Sequence, residues 1–260
     1  MDWTAQSDEF GVFILTLNRP HKKNALTFTM YRELTDWFVA LERNHDARVV
    51  IIRGAGKDFC SGGDVREIIA PLLDRTAEQL FEFTRMTCDL IEAIRGLSIP
   101  VLAAVDGVAV GAGSVIALAS DMRIVTTRAR FGFLFVKVGL CGADMGAAYL
   151  LQRVVGLGRA TEMLMFGDFV DATDALSYGL ANRVVPPEEL METTLTWARR
   201  LAAGPRLGLA MTKRSLNDAM GLDLRTALEA EARTQAFCMK SADFREGHDA
   251  FIEKRGPVFR

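Results

Sequence analysis

Two runs of small residues stand out as places where the backbone itself could do chemistry. The first, Phe59-Cys60-Ser61-Gly62-Gly63-Asp64, follows the apolar stretch Val49-Val50-Ile51-Ile52. The second, Gly107-Val108-Ala109-Val110-Gly111-Ala112-Gly113, follows Val101-Leu102-Ala103-Ala104-Val105. Amides with no bulky side chain above them can approach a ligand closely, and two such N–H groups can converge on one oxygen. That is the chemistry of an oxyanion hole, which stabilises a carbonyl on its way to an enolate. Either run alone reads as a tight turn. Together, each at the end of an apolar strand pattern, they read as two halves of one site.

The elements that must position them follow an α/β pattern, with short β-branched runs alternating with amphipathic helices through residue 200. Val12 to Leu17 is a strand, ended by Asn18-Arg19-Pro20. Residues 27–43 read as a helix with Met30, Leu34, Phe38 and Leu41 on one face. A second helix begins over Val65 to Ile69 and is ended or bent by Pro71, and residues 71–79 read as a polar loop. Phe83, Met86, Leu90 and Ile94 mark the next helix; Gly113 to Ser120 is another, and Met122 to Val125 a strand. Phe131, Phe133, Phe135 and Phe81 or Phe83 read as core aromatics, and Phe133 and Phe135 share one side if the segment is extended. From residue 187 the pattern is almost wholly helical, broken by Pro205, with a long helix over 222–239. No internal repeat or low-complexity segment is evident.

A chain of 260 residues suffices for one large domain or two small ones. With 50% hydrophobic and 25% charged residues it has the composition of an ordinary globular enzyme. Its formal net charge of −2 leaves no electrostatic footprint for nucleic acid. Cys60, Cys88, Cys141 and Cys238 lie far apart without metal-ligand spacing, and read as reduced thiols of a cytoplasmic protein. His21, His45 and His248 form no ligand pair, so no metal site is expected. Met1-Asp2-Trp3-Thr4 lacks the apolar core of a signal peptide. No run approaches the ~20 apolar residues that span a bilayer, so no membrane partner is expected.

A series of features, in order, resembles the enoyl-CoA hydratase/isomerase (crotonase) superfamily. They are Asn18-Arg19-Pro20 with Lys23-Asn24-Ala25-Leu26, the two glycine-rich runs, Asp121, the segment Phe131 to Gly156, and Phe251-Ile252-Glu253-Lys254-Arg255. The resemblance implies an α/β, crotonase-like fold, a spiral of strand-strand-helix turns over residues 1–200 that holds CoA and the active site. A C-terminal helical region, 201–260, would pack at the interface of a homotrimer or dimer of trimers. The ligand would be an acyl thioester of coenzyme A, with CoA part of the substrate and no separate cofactor. By position, the oxyanion amides would be those of Gly63 and Ala112. Lys23 and Ala25 fall where relatives hold adenine and pantetheine through the backbone. Ser61 and Asp64 flank the first oxyanion amide, though Asp64 also reads as the cap of the next helix. Lys254 corresponds to a cation near the nucleotide phosphate; its plain alternative is a solvated lysine.

The well-known hydratases of this superfamily add water with two glutamates. The corresponding positions here hold Val115 and Phe135, neither of which can move a proton. Both instead read as lining the acyl pocket, Phe135 as an aromatic wall suited to a flat ring or unsaturated group. The acid that remains is Asp144, in Gly139-Leu140-Cys141-Gly142-Ala143-Asp144-Met145-Gly146, where several relatives carry a catalytic aspartate. Its apolar neighbours should desolvate it, which raises a carboxyl pKa and improves the base near neutrality. The competing reading is an N-cap for the run Ala147 to Leu151. Glu67 stands as a weaker second acid, and Asp106 and Asp121 read as structural.

The expected activity is that of an enoyl-CoA hydratase/isomerase, of the lyase or isomerase class, on an unsaturated, cyclic or aromatic-derived acyl-CoA. The enolate would form at Gly63 and Ala112 with Asp144 as acid/base. The alternatives are a hydrolase of acyl-CoA or C–C bonds on the same fold, and an acyl-CoA-binding protein without turnover. RNA binding, known for a relative, finds no support in the charge balance.

Overall fold

Val49-Val50-Ile51-Ile52 offers β-branched residues to both faces, as a strand covered on both sides must. In the computed structural model, which describes residues 1–259, these residues open the third strand of a six-stranded sheet. The strands are β1 (Trp3–Ser7), β2 (Val12–Leu17), β3 (Val49–Gly54), β4 (Val101–Val105), β5 (Val108–Val110), β6 (Met122–Thr126), β7 (Arg130–Gly132), β8 (Phe169–Asp171) and β9 (Arg183–Val185). The large sheet has the order β1-β2-β3-β4-β6-β9, with β1 antiparallel to β2 and the rest parallel. The small sheet has the order β5-β7-β8. β5 lies inside the second glycine-rich run, which is therefore a strand between two turns rather than one continuous turn.

The helices are α1 (Phe28–Leu41), α2 (Ala70–Leu72), α3 (Ala77–Gly96), α4 (Ala112–Ala119), α5 (Ala147–Val155), α6 (Leu157–Phe166), α7 (Ala172–Ser177), α8 (Leu190–Ala202), α9 (Arg206–Ala219), α10 (Leu224–Cys238) and α11 (Ala242–Glu253). Alternation along the strands divides the interior in two. Val50, Ile52, Val101, Ala103 and Val105 face a core shared with α1, α3, α4 and α5. Val49, Ile51, Leu102, Ala104 and Ile124 face Leu190, Ala198 and Ala202 of α8.

Helix α1 begins at Thr27, whose hydroxyl accepts from Met30 N at 3.2 Å, and it buries Met30, Leu34, Phe38 and Leu41 as its spacing predicts. The polar loop expected over 71–79 is shorter than that. Val65–Ile69 forms a wide π turn continued by α2, and α3 already starts at Ala77, behind a reciprocal Thr76–Gln79 capping box. The segment around Phe133 and Phe135 is not extended. The chain leaves β7 at Gly132 and coils through a 3₁₀ turn, Leu134–Val138, which buries both rings at once. Of the two candidate core rings on α3, Phe83 packs against the core, whereas Phe81 is 70% exposed.

The last helices are held differently. α9 is anchored where Lys213 Nζ meets Asp121 at 2.9 Å and Ile99 O at 3.0 Å, and Asp121 also binds Arg95. α10 buries no residue. Leu224, Phe251 and Ile252 are 75%, 82% and 65% exposed. Among the described residues no helix is long and apolar enough to cross a membrane, and no group of His, Cys, Asp and Glu could hold a metal.

Candidate active site

The first glycine-rich run is aligned by backbone pairing on both sides. Phe59 N and Cys60 N donate to Val108 O, and Val110 N donates to Cys60 O, which lays the run against β5. Ser61 N donates to Lys23 O, Leu26 N to Gly62 O and Asp64 N to Leu26 O, so residues 23–26 run beside it as a short parallel ladder. In such a ladder the intervening N–H points away from the partner strand. That amide belongs to Gly63.

The second run delivers its amide through helix geometry. Gly111 (φ 53°, ψ −120°) is in a backbone state closed to side chains, and α4 starts directly after it. Ala112 is therefore the first residue of a helix, where the N–H has no intrahelical partner and the dipole is positive. Among the described residues neither the Gly63 nor the Ala112 amide donates to a protein acceptor. The two turns touch: a Cβ added at Gly62 would lie 3.8 Å from Ala112 N, and one at Gly111 3.9 Å from Gly62 Cα. At Gly113 the approach is tighter, because a Cβ would fall 2.2 Å from Cys60 O.

All eight residues of α4 are buried, and its far end is closed by a buried guanidinium. Arg123 Nη1 donates to Ser120 O at 2.6 Å, Ala117 O at 3.2 Å and Leu118 O at 3.3 Å, while Nε donates to Leu180 O at 2.5 Å. Burial lowers its pKa to about 10, which still leaves it charged at neutral pH. A fixed cation on the terminal carbonyls satisfies the negative end of the dipole and holds the helix in place.

Asp144 is half-buried, and burial raises its pKa above the ordinary carboxylate range, with only the Met145 amide opposing. That amide, at 2.9 Å from Oδ1, is the one hydrogen bond its side chain accepts from the described residues. The cap of α5 is Gly146, with no side-chain bond, so Asp144 does not serve as the helix cap. Met145 has φ 51° although it is 3% exposed, a left-handed conformation that is costly for such a side chain. Two residues on, a Cβ added at Gly146 would lie 4.0 Å from Ile91 Cγ2, which sets this loop beside α3.

Residues 7–260 match the family model of enoyl-CoA hydratase/isomerase. The chain belongs to that family. It is 36% identical to the 1,2-epoxyphenylacetyl-CoA isomerase of Escherichia coli (strain K12), over 100% of this chain and 98% of the relative. It is 33% identical to the crotonyl-CoA hydratase of Syntrophomonas wolfei, over 95% of this chain and 93% of that protein. The crystal structure of an enoyl-CoA hydratase from Mycobacterium smegmatis superposes with a TM-score of 0.94 at 35% identity, covering 100% of this chain and 99% of that one. The fold is accordingly the crotonase fold.

The remaining residues singled out from sequence spread around this hydratase/isomerase scaffold. Asp64 caps the π turn, its Oδ1 accepting from Arg66 N and Glu67 N, and it is 3% exposed. Burial alone would raise its pKa; the Glu67 and Arg66 amides and the Lys22 and Arg19 charges outweigh burial and hold it low. Glu67 is turned outward into an ion pair with Arg19, so the structure does not offer it as a second acid. Phe135 packs its ring 3.7 Å from the place a Gly111 Cβ would occupy, beside the Ala112 amide. Val115 is fully buried within α4. Lys23 is exposed with φ 49°; Ala25 is buried, its N–H bonded to Lys22 O and its carbonyl to Arg19. Ser61 Oγ donates to Lys22 O at 3.3 Å. Lys254 ends α11, exposed at φ 56°, and its ammonium makes no ion pair among the described residues.

One residue here carries more weight than its sequence context shows. Arg19, only 6% exposed, bonds Ala25 O and pairs with Asp64 and Glu67, bracing the first glycine-rich turn. Its signal was the Arg-Pro step ahead of the turn.

Proposed function

We propose that the enzyme isomerises an unsaturated, cyclic or aromatic-derived acyl-CoA by moving a proton through a thioester enolate. The thioester oxygen lies between the amides of Gly63 and Ala112. Asp144 removes a proton from an acyl carbon, the electron pair passes into the enolate, and the proton returns at another carbon of the conjugated system. Val115 and Phe135 stand where hydratases carry glutamates, so one acid serves both proton steps. The observation that carries this reading is a partly desolvated carboxylate that caps nothing, in a site whose other acids are paired. Water addition asks for a second proton carrier, and for that reason isomerisation is favoured over hydration. The likeness to a 1,2-epoxyphenylacetyl-CoA isomerase supports a ring-bearing acyl group.

Lys23 and Ser61 would line the path of the CoA moiety, with the buried Ala25 and Asp64 behind them and Lys254 near its phosphate. No cofactor is needed beyond CoA itself. The exposed apolar residues of the C-terminal helices, Leu224, Phe251 and Ile252 among them, support assembly through residues 201–260 into trimers or paired trimers.

The test is turnover of an acyl-CoA panel (crotonyl, non-conjugated enoyl, dienoyl and cyclic enoyl esters) with products identified by mass. Unchanged mass with the thioester intact is the expected result. Gain of water would make the enzyme a hydratase, and release of CoA a hydrolase. Binding without turnover of any ester would leave a binding protein. Light scattering during gel filtration reads the assembly, and a monomer would remove that part of the proposal.

A further inference from the structure

Asp144-Met145-Gly146-Ala147 forms a tight turn of the rarer hand. Met145 has φ 51°, Gly146 has φ 85° and ψ 8°, and Ala147 N closes the turn on Asp144 O at 2.8 Å. Positive φ at both central residues marks the mirror-image (type I′) turn, whose first central place suits Gly, Asn or Asp. Here that place holds a methionine, buried in the core shared with α1, α3, α4 and α5. Its own N–H donates to Asp144 Oδ1 at 2.9 Å.

The peptide between Asp144 and Met145 is planar, with its C=O and N–H on opposite edges. Ala147 holds the carbonyl edge inside the turn, so the N–H edge points outward, and the Asp144 side chain folds back onto it. The left-handed step at Met145 thus fixes one plane that closes the turn and also aims a donor at the carboxylate. The two carboxylate oxygens are left unequal. Oδ1 is engaged by the amide, whereas Oδ2 accepts nothing from the described residues. Nor is Oδ2 sealed: Asp64 Oδ2 is the one side-chain oxygen or nitrogen among those residues that is both shut off from solvent and without a hydrogen bond.

We propose that Met145 is the positioning residue for Asp144: its left-handed backbone aims the amide that fixes Oδ1, and this leaves Oδ2 as the oxygen that takes and returns the proton. This rests on the reading of Asp144 as acid/base given above, and adds which oxygen carries the proton and what holds it. In the first step an acyl C–H bond breaks, its electron pair enters the enolate, and an O–H bond forms at Oδ2. In the second the O–H bond breaks and a C–H bond forms at the other carbon. Strained backbone of this kind persists only where the surrounding structure over-determines it, as the buried Met145 side chain does here. The same N–H favours the ionised carboxylate and opposes the effect of burial, so losing it would push the Asp144 pKa further up.

The test is kcat against pH for the intact wild type, Met145→Gly, Met145→Ile and Asp144→Asn on the acyl-CoA panel above. Affinity is read by calorimetry with butyryl-CoA, a saturated ester that cannot isomerise. Glycine accepts a positive φ but removes the buried side chain, whereas isoleucine keeps the bulk and is a marked outlier there. Met145→Gly should melt at a lower temperature, lose a few-fold in kcat at most, and keep the acid limb in place. Met145→Ile should lose about 10-fold or more in kcat, as misplaced catalytic groups do. Its acid limb should move to higher pH, and its affinity for butyryl-CoA should hold. An isoleucine variant as active as the glycine variant or more so, with its limb unmoved, overturns the proposal, because packing and not backbone would then hold the acid. Equal losses in both overturn it as well. If Met145→Ile does not fold, Met145→Gly decides alone: a shifted limb or a loss of ~10-fold or more there overturns the proposal. If Asp144→Asn keeps the wild-type kcat, or wild type turns over no ester, the Asp144 reading falls and Met145 with it. If Asp144→Asn is impaired and both Met145 variants match wild type, Asp144 stands and Met145 alone is removed.

Discussion

The two sides of the site are built in opposite ways. The side that carries the Gly63 and Ala112 amides is stitched from three directions: residues 23–26, β5 and the buried helix α4, with the Cys60 carbonyl so close to Gly113 that no side chain fits between. The acid-bearing loop, residues 139–146, is held at few points. Gly142 is pressed against the Leu164 carbonyl and Met145 is buried, but Leu140 is 57% exposed and nothing lies within 4 Å of a Cβ added at Gly139. Dipoles that stabilise developing charge must be aimed before the charge appears, and reorientation during the reaction would waste their effect. A proton carrier has a different requirement: a tuned pKa and access to more than one carbon. On the proposed mechanism the rigid side would fix one oxygen, while the looser side, strained at Met145, would present the carboxylate that carries the proton.

Asp144→Asn should break the comparison most severely, with kcat falling ~100-fold or more and CoA-ester binding retained. The same substitution should raise the melting temperature at neutral pH. Burial raises the folded-state pKa, so the stabilisation associated with the bound proton is complete below the unfolded pKa and lost as pH rises through the folded one. At neutral pH the ionised carboxylate is therefore a liability that the amide removes. In wild type the acid limb of kcat should lie above the ordinary carboxylate range. Full activity in the mutant would make Asp144 a bystander.

A pair of glycine substitutions sharpens the contrast. Gly111→Ala puts a side chain at φ 53°, ψ −120° and must shift the Ala112 amide. Loss of one oxyanion donor is worth about 100-fold in kcat. Gly139→Ala, at φ 80° with open space around it, should cost about 1 kcal/mol of stability and little activity. Similar kinetic losses from both would mean that the two sides are equally constrained.

Asp64→Asn tests how the first turn is held, with an expected loss of about 1–3 kcal/mol in urea unfolding at neutral pH. Because the folded-state pKa of Asp64 is lowered, its contribution is present above the unfolded pKa and vanishes as pH falls through the folded value. The gap between mutant and wild type should close in acid; a constant gap would assign the loss to packing. Lys254→Ala should have the smallest effect, a few-fold loss of affinity for CoA relative to dephospho-CoA that fades with salt, as exposed ion pairs are worth ~1 kcal/mol or less. An unchanged ratio would return Lys254 to plain solvation.

The sequence by itself determined the elements with a regular period: strand Val12–Leu17, the buried stripe of α1, the α8 and α9 helices on either side of Pro205, and the long helix α10. It also determined the two glycine-rich runs, since backbone freedom is a property of the residue. It misjudged places where a long-range contact overrides a local signal. β5 needed its partner β7 to become a strand, Phe133 and Phe135 needed a common core to coil the chain, and Thr76 with Gln79 started α3 inside an apparent loop. Asp144 was legible as an acid in apolar company. That it caps nothing and that Glu67 is taken by Arg19 were decided only by tertiary structure. These depend on which side chains meet across the fold, and local sequence carries no record of how close residues 19 and 67 come.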